Sequence, residues 1–124
     1  MKKQFVATTI LVLFVIFVAK SQNTVNDFLG TWEYVCDGAE YGYTNGELKI
    51  EKKENNITTT VIFTDGRKLV ADTTKLKKGI LHFDLYIEGA IINISLKNTK
   101  GTLKGEVTIP DNPKLGLIAN KKKK

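Results

Sequence analysis

From Thr31 onward, apolar and polar residues alternate in short bursts separated by glycine or by a polar pair. Residues 31–36 put Trp32, Tyr34 and Cys36 on one face, and residues 46–52 set Leu48 and Ile50 against Glu47, Lys49 and Glu51. Residues 56–64 align Ile57, Thr59, Val61 and Phe63, and residues 67–72 repeat the pattern weakly. Residues 80–88 align Leu81, Phe83, Leu85 and Ile87, and residues 90–97 align Ile92, Ile94 and Leu96. Residues 102–109 align Leu103, Gly105, Val107 and Ile109, and residues 115–120 close the series. A period of two with many β-branched residues predicts half-buried strands. Only residues 25–28 read as a helical turn.

The connections are short. Asp65-Gly66 suits a type I′ hairpin, Glu88-Gly89 is as tight, and 53–55, 77–79 and 98–101 are polar breaks. Short loops join antiparallel neighbours. Pro110 and Pro113 bracket a loop before the last strand, because proline cannot donate to a ladder. The expected fold is therefore all-β, an antiparallel up-and-down meander of seven or eight strands. An apolar face and two free edges favour closure into a small barrel, with a two-sheet sandwich as the alternative. The inward positions are bulky, and only Thr59 and Tyr34 among them are polar. Such an interior reads as a filled core, with a pocket at one mouth as the alternative.

Residues 1–21 lie outside this pattern. Lys2 and Lys3 lead into an apolar run of 15 residues from Phe5 to Ala19, followed by Ala19-Lys20-Ser21. This is the layout of a secretory signal peptide, and the run is shorter than the ~20 residues of a spanning helix. Cleavage after Ser21 leaves a domain over 22–120, a basic tail over 121–124 and no stable membrane span, so the chain is expected to be periplasmic or secreted. The net charge of +6 falls to about +3 without the leader's three lysines, and the four lysines at 121–124 account for the remainder. The tail reads as a solvated terminus. No basic face is visible for nucleic acid.

Candidate chemistry is sparse. One cysteine among 124 residues excludes an intrachain disulfide and a cysteine-cluster metal site. Cys36 in an alternating strand reads as a small buried hydrophobe, or as an intermolecular disulfide partner if exposed. His82, the sole histidine, points outward on the same face as Asp84, with no nucleophile beside it. Asn56 and Asn93 begin glycosylation acceptor triplets, which matter only in a eukaryotic secretory pathway. The segment 36–46 gathers two acids, two tyrosines and three glycines. Aromatic rings flanked by carboxylates suit sugars, so Tyr34, Asp37, Glu40, Tyr41 and Tyr43 are the candidate ligand-binding residues. Nothing calls for a cofactor.

The run Asp27-Phe28-Leu29-Gly30-Thr31-Trp32-Glu33 resembles the opening of the calycin families, the lipocalins and fatty-acid-binding proteins. The resemblance implies that Gly30 and Trp32 open the first strand and that the Trp plugs the closed end of a barrel. The sequence departs from those families in leaving no room for a helical lid after strand one. It also has no arginine in its last strand, Arg67 being the only one. The remainder of the chain resembles small exported β domains of Bacteroidota-type bacteria, through Gly46-Glu47-Leu48, Leu81-His82-Phe83, Glu88-Gly89, Gly101-Thr102-Leu103 and the Lys-rich end. That resemblance implies no assigned chemistry. The expectation is an exported, non-enzymatic barrel binding a glycan, a small hydrophobic molecule or a protein at a loop end or strand face. A lipocalin-like carrier with an internal pocket is the alternative. A small hydrolase using Asp37, Glu40 or His82 is a third.

Overall fold

The structure, a computed structural model, describes residues 23–123. The signal peptide expected over 1–21 lies outside the described residues. Nine strands follow a 3₁₀ turn at Val25–Asp27. They are β1 (Gly30–Val35), β2 (Asn45–Lys53), β3 (Asn56–Phe63), β4 (Lys68–Val70), β5 (Thr74–Lys77), β6 (Ile80–Ile87), β7 (Ala90–Thr99), β8 (Thr102–Thr108) and β9 (Leu115–Lys121).

All nine form one antiparallel sheet in the order β4-β3-β2-β1-β9-β8-β7-β6-β5. Every pairing is a hairpin between chain neighbours except that of β1 with β9, which runs from Trp32 opposite Lys121 to Val35 opposite Ile118. The two edge strands, β4 and β5, are consecutive in the chain. The segment between them bonds to both sides: Ala71 N donates to Thr59 O at 2.7 Å, and Asp72 N donates to Asp84 O at 3.0 Å. The Thr74 hydroxyl meets the buried Thr59 hydroxyl at 3.1 Å. The sheet therefore closes on itself, and the sandwich alternative is not formed. The strand expected over 67–72 forms only as β4, which pairs with β3; β5, which pairs with β6, was not expected. Each is too short for alternation to show, since Leu69 and Leu76 are the only apolar residues of either packed inward.

The turns follow backbone chemistry. Lys78-Gly79, Glu88-Gly89 and Lys100-Gly101 are two-residue loops in which both residues have positive φ, the signature of a type I′ turn. Asp65-Gly66 departs from expectation. Only Gly66 has positive φ, and its N–H donates to Phe63 O at 2.9 Å, with Phe63 N reaching Arg67 O at 2.9 Å. This is a three-residue loop with a type I turn and a glycine bulge, a common alternative in hairpins.

One end of the barrel is sealed. Phe28 is fully buried across it, and the Trp32 indole N–H donates to Phe28 O at 2.9 Å. Asn98 donates to Asp27 O at 2.6 Å and Asn23 to Asn98 O at 3.0 Å, strapping the 3₁₀ turn over the opening. The Lys121 ammonium lies 4.7 Å from the Trp32 ring centroid and donates to Leu29 O at 2.5 Å. Gly30, at φ +124°, has no side chain to obstruct that lysine, whose Cε would lie 2.9 Å from a Cβ there. A lysine thus stands over the tryptophan from the last strand, where the sequence has no arginine. The tail reading changes accordingly. Lys121 is in β9, Lys122 N donates to Thr31 O at 2.9 Å, and the Lys122 ammonium pairs with Glu47 at 2.6 Å. Leu81, Leu96, Leu103, Phe83, Ile50 and Ala119 fill the sealed half, each at most 1% exposed.

Candidate functional site

The opposite half of the barrel is hollow. A cavity of about 530 Å³ opens between the 36–44 loop, the β6–β7 turn and the 109–114 loop. Its deepest lining comes from Leu48, Val61, Ile94 and Leu117, and its upper wall from Phe63, Leu85, Ile87, Ile92, Val107, Ile109 and Leu115. These are the inward positions of the alternating pattern, so their orientation follows from period two. The expectation of a filled core is corrected here, because it holds for the half around Trp32 and fails for the half around Leu85. At the sealed end, Phe28 and Trp32 occupy the axis. Among the described residues no segment crosses the axis at the mouth, and inward side chains alone do not meet across the opening.

The five candidate residues divide. Tyr34, Glu40 and Tyr43 line the cavity. Asp37 is exposed and is not part of the lining, and Tyr41 stands wholly in solvent at 101% relative exposure. The expected pair of stacking tyrosines flanked by two acids is therefore not assembled. Tyr41 and Tyr43 alternate outward and inward about Gly42, whose φ is 95°.

Tyr34 is 4% exposed, and its hydroxyl donates to Tyr43 O at 3.3 Å. Gly46 lies opposite it on β2, where a Cβ would come within 2.9 Å of the Tyr34 ring. Burial, and next the neighbouring Cys36, push the Tyr34 phenol up to about 12. Cys36 also lines the cavity at 3% exposure. Burial, followed by the charge of Asp37, pushes its thiol above the ordinary value, so it stays protonated and is a poor nucleophile. Its burial also removes the intermolecular disulfide reading.

Sequence reasoning missed the role of Arg67. The guanidinium stacks 5.2 Å from the centroids of both Tyr43 and Phe63, whose rings meet edge-on at 5.0 Å. It donates to the Tyr43 hydroxyl at 3.4 Å and pairs with Asp65 at 2.7 Å. The signal was an Asp-Gly-Arg turn, in which a side chain four residues past a strand end folds back over its neighbours. The outward His82–Asp84 pair takes no shared role, since Asp84 accepts from Asn93 at 2.5 Å. Among the described residues no group of three or more His, Cys, Asp or Glu is placed to hold a metal, and no helix is long and apolar enough to cross a membrane.

No family model matches the chain, and no curated protein matches it. Solved structures do. A single-residue mutant of the fluorescent protein UnaG aligns at 14% identity with a TM-score of 0.57, over 82% of this chain and 100% of that one. The fatty-acid-binding protein 1 of Echinococcus granulosus aligns at 13% identity and TM-score 0.53, over 77% of this chain and 98% of its own. A protein described as REP1-NXSQ fatty acid transporter aligns at 12% and 0.56, over 80% and 98%. At these identities the likeness speaks to architecture alone: the chain folds as a small antiparallel β-barrel, the shape it shares with these proteins.

Proposed function

We propose that this chain is an exported, non-catalytic binding protein that holds a small apolar molecule inside the open half of its barrel. The observation that carries the reading is the cavity, about 530 Å³ and walled by aliphatic and aromatic side chains. That volume lies in the ordinary range for small-molecule sites. Among the described residues every buried side-chain nitrogen and oxygen already has a partner, so the wall makes no hydrogen-bonding demand on its occupant. Barrels of similar shape include proteins named for fatty acids. The loop-end reading loses support because Asp37 and Tyr41 are exposed and outside the lining to which Tyr43 belongs. Export rests on the leader pattern of residues 1–21, and intact mass of the processed protein checks it through a new N-terminus at Gln22.

The test uses a neutral environment-sensitive dye, N-phenyl-1-naphthylamine. The protein is expected to raise its emission saturably, at one dye per chain. Val107 lines the cavity at 7% exposure. Val107→Phe fills space that is already empty, so the overpacking penalty of a solid core does not apply. It should weaken dye uptake with an unchanged or higher Tm. Dye binding that survives Val107→Phe undiminished would place the site elsewhere and end the proposal.

A further inference from the structure

We infer that the cavity selects its occupant by charge, taking cationic amphiphiles best, neutral ones next and carboxylates least; this deepens the carrier reading above and rests on it. Among the described residues the charged groups of the lining are Glu40 and Glu88, one in the 36–44 loop and one in the β6–β7 turn, and no Lys, Arg or His belongs to it. Both glutamates are exposed at the rim, where the polar head of a molecule with its tail in the cavity must rest. The cations nearest the mouth do not offset them. Arg67 lies outside the lining and is paired with Asp65 at 2.7 Å, and Lys114 is paired with Glu106 at 3.3 Å. Deeper in, the Tyr34 hydroxyl already donates to Tyr43 O. A carboxylate head would therefore meet two negative groups at the rim and, within, no buried side-chain N–H or O–H without a partner, only the weak donor of the Cys36 thiol.

The charges of the whole barrel point the same way. The mouth loops add Asp37 and Asp111 to the two glutamates, against Lys68 at the start of β4, while Asp65 is matched by Arg67. The sealed end carries Lys53, Lys77, Lys78 and Lys100, with the lysines at 121–123 beside them, against Glu54 and Asp27. The axis thus runs from a negative mouth to a positive base, and such a field draws cations to the mouth and repels anions. An exposed charge pair at contact distance shifts affinity by roughly fivefold even in water. Attraction for one head and repulsion for the other make the amine-to-acid spread at least about tenfold at low salt.

The experiment displaces bound N-phenyl-1-naphthylamine with dodecylammonium, dodecanol and dodecanoate at pH 7, each below its aggregation limit, in 20 mM and 500 mM salt. The expected order is amine, alcohol, acid, with the amine about tenfold or more ahead of the acid in low salt. High salt should compress the spread, because rim charges are screened. The E40Q/E88Q double variant, altered at two exposed positions, should bring amine and acid within about threefold. Dodecanoate equal to or better than dodecylammonium would overturn the inference and leave the carrier reading intact. So would a preference that persists in E40Q/E88Q. If the dye itself does not bind, the carrier reading fails and the inference falls with it.

Discussion

Leu85 and Leu103 are a matched pair for asking whether half of this barrel is empty. Both are inward strand residues, Leu85 at 4% and Leu103 at 0% exposure. Leu103 sits in the sealed half, enclosed by the side chains around Trp32, whereas Leu85 borders the cavity. Truncating a buried leucine to alanine removes its transfer free energy and, in a packed site, leaves a void that adds to the loss, for totals of about 2–5 kcal/mol. At Leu103 both contributions apply, so Leu103→Ala should cost about 4 kcal/mol. At Leu85 one side of the residue already faces open space. The truncation enlarges an existing cavity and forfeits fewer contacts, so Leu85→Ala should cost about 2 kcal/mol. For a domain near 100 residues, 1 kcal/mol moves Tm by roughly 4–8 °C, so the variants should melt about 10 °C apart. Urea unfolding followed by Trp32 emission and circular dichroism measures both, with m-values checked for constancy. Equal losses at the two sites would mean the mouth half is as tightly packed as the base, and the description of a hollow barrel would be wrong.

Two further substitutions probe the base and the wall. Lys121→Ala removes both the ammonium over Trp32 and the donor to Leu29 O, and should cost about 1–2 kcal/mol in urea unfolding, whereas Lys123→Ala should stay within about 0.5 kcal/mol. Tyr34 supplies a pH dependence of known sign. Its folded-state phenol is raised to about 12 against about 10 in the unfolded chain, so the unfolded state loses its proton first as pH rises. The stability it contributes is complete below about pH 10 and is lost toward pH 12, up to about 2–3 kcal/mol. Unfolding of the parent and of Tyr34→Phe at pH 8 and pH 11 should show a steeper alkaline loss in the parent. Parallel losses would mean the phenol is not buried.

Much of the barrel was legible because alternation is a local property. Each inward residue from Trp32 to Leu117 is named by its position within a strand, and glycine turns fix which strands are neighbours. Two features were not legible for the same reason. The passage from β4 to β5 depends on Thr59 and Asp84 reaching the 71–72 segment from opposite sides, contacts that no local pattern encodes. Lys121 looked like the first residue of a solvated tail, because its partner Trp32 lies 89 positions earlier in the chain. The candidate site was legible in part. Tyr34, Glu40 and Tyr43, gathered from composition, line the cavity, but composition cannot say which of two tyrosines flanking Gly42 turns inward. Whether the inward residues interlock or leave a chamber depends on what crosses the axis. Phe28 does so at one end, and no counterpart exists among the described residues at the other.

The most direct test of the hollow half is a methyl-resolved NMR titration with dodecanol, the neutral ligand. The account predicts shifts and intermolecular contacts at Leu85, Ile92, Val107 and Leu117, with Leu81, Leu96 and Leu103 unmoved. Contacts confined to the outer face at Val35, Ile91 and Ile118, or spread evenly through both halves, would contradict it.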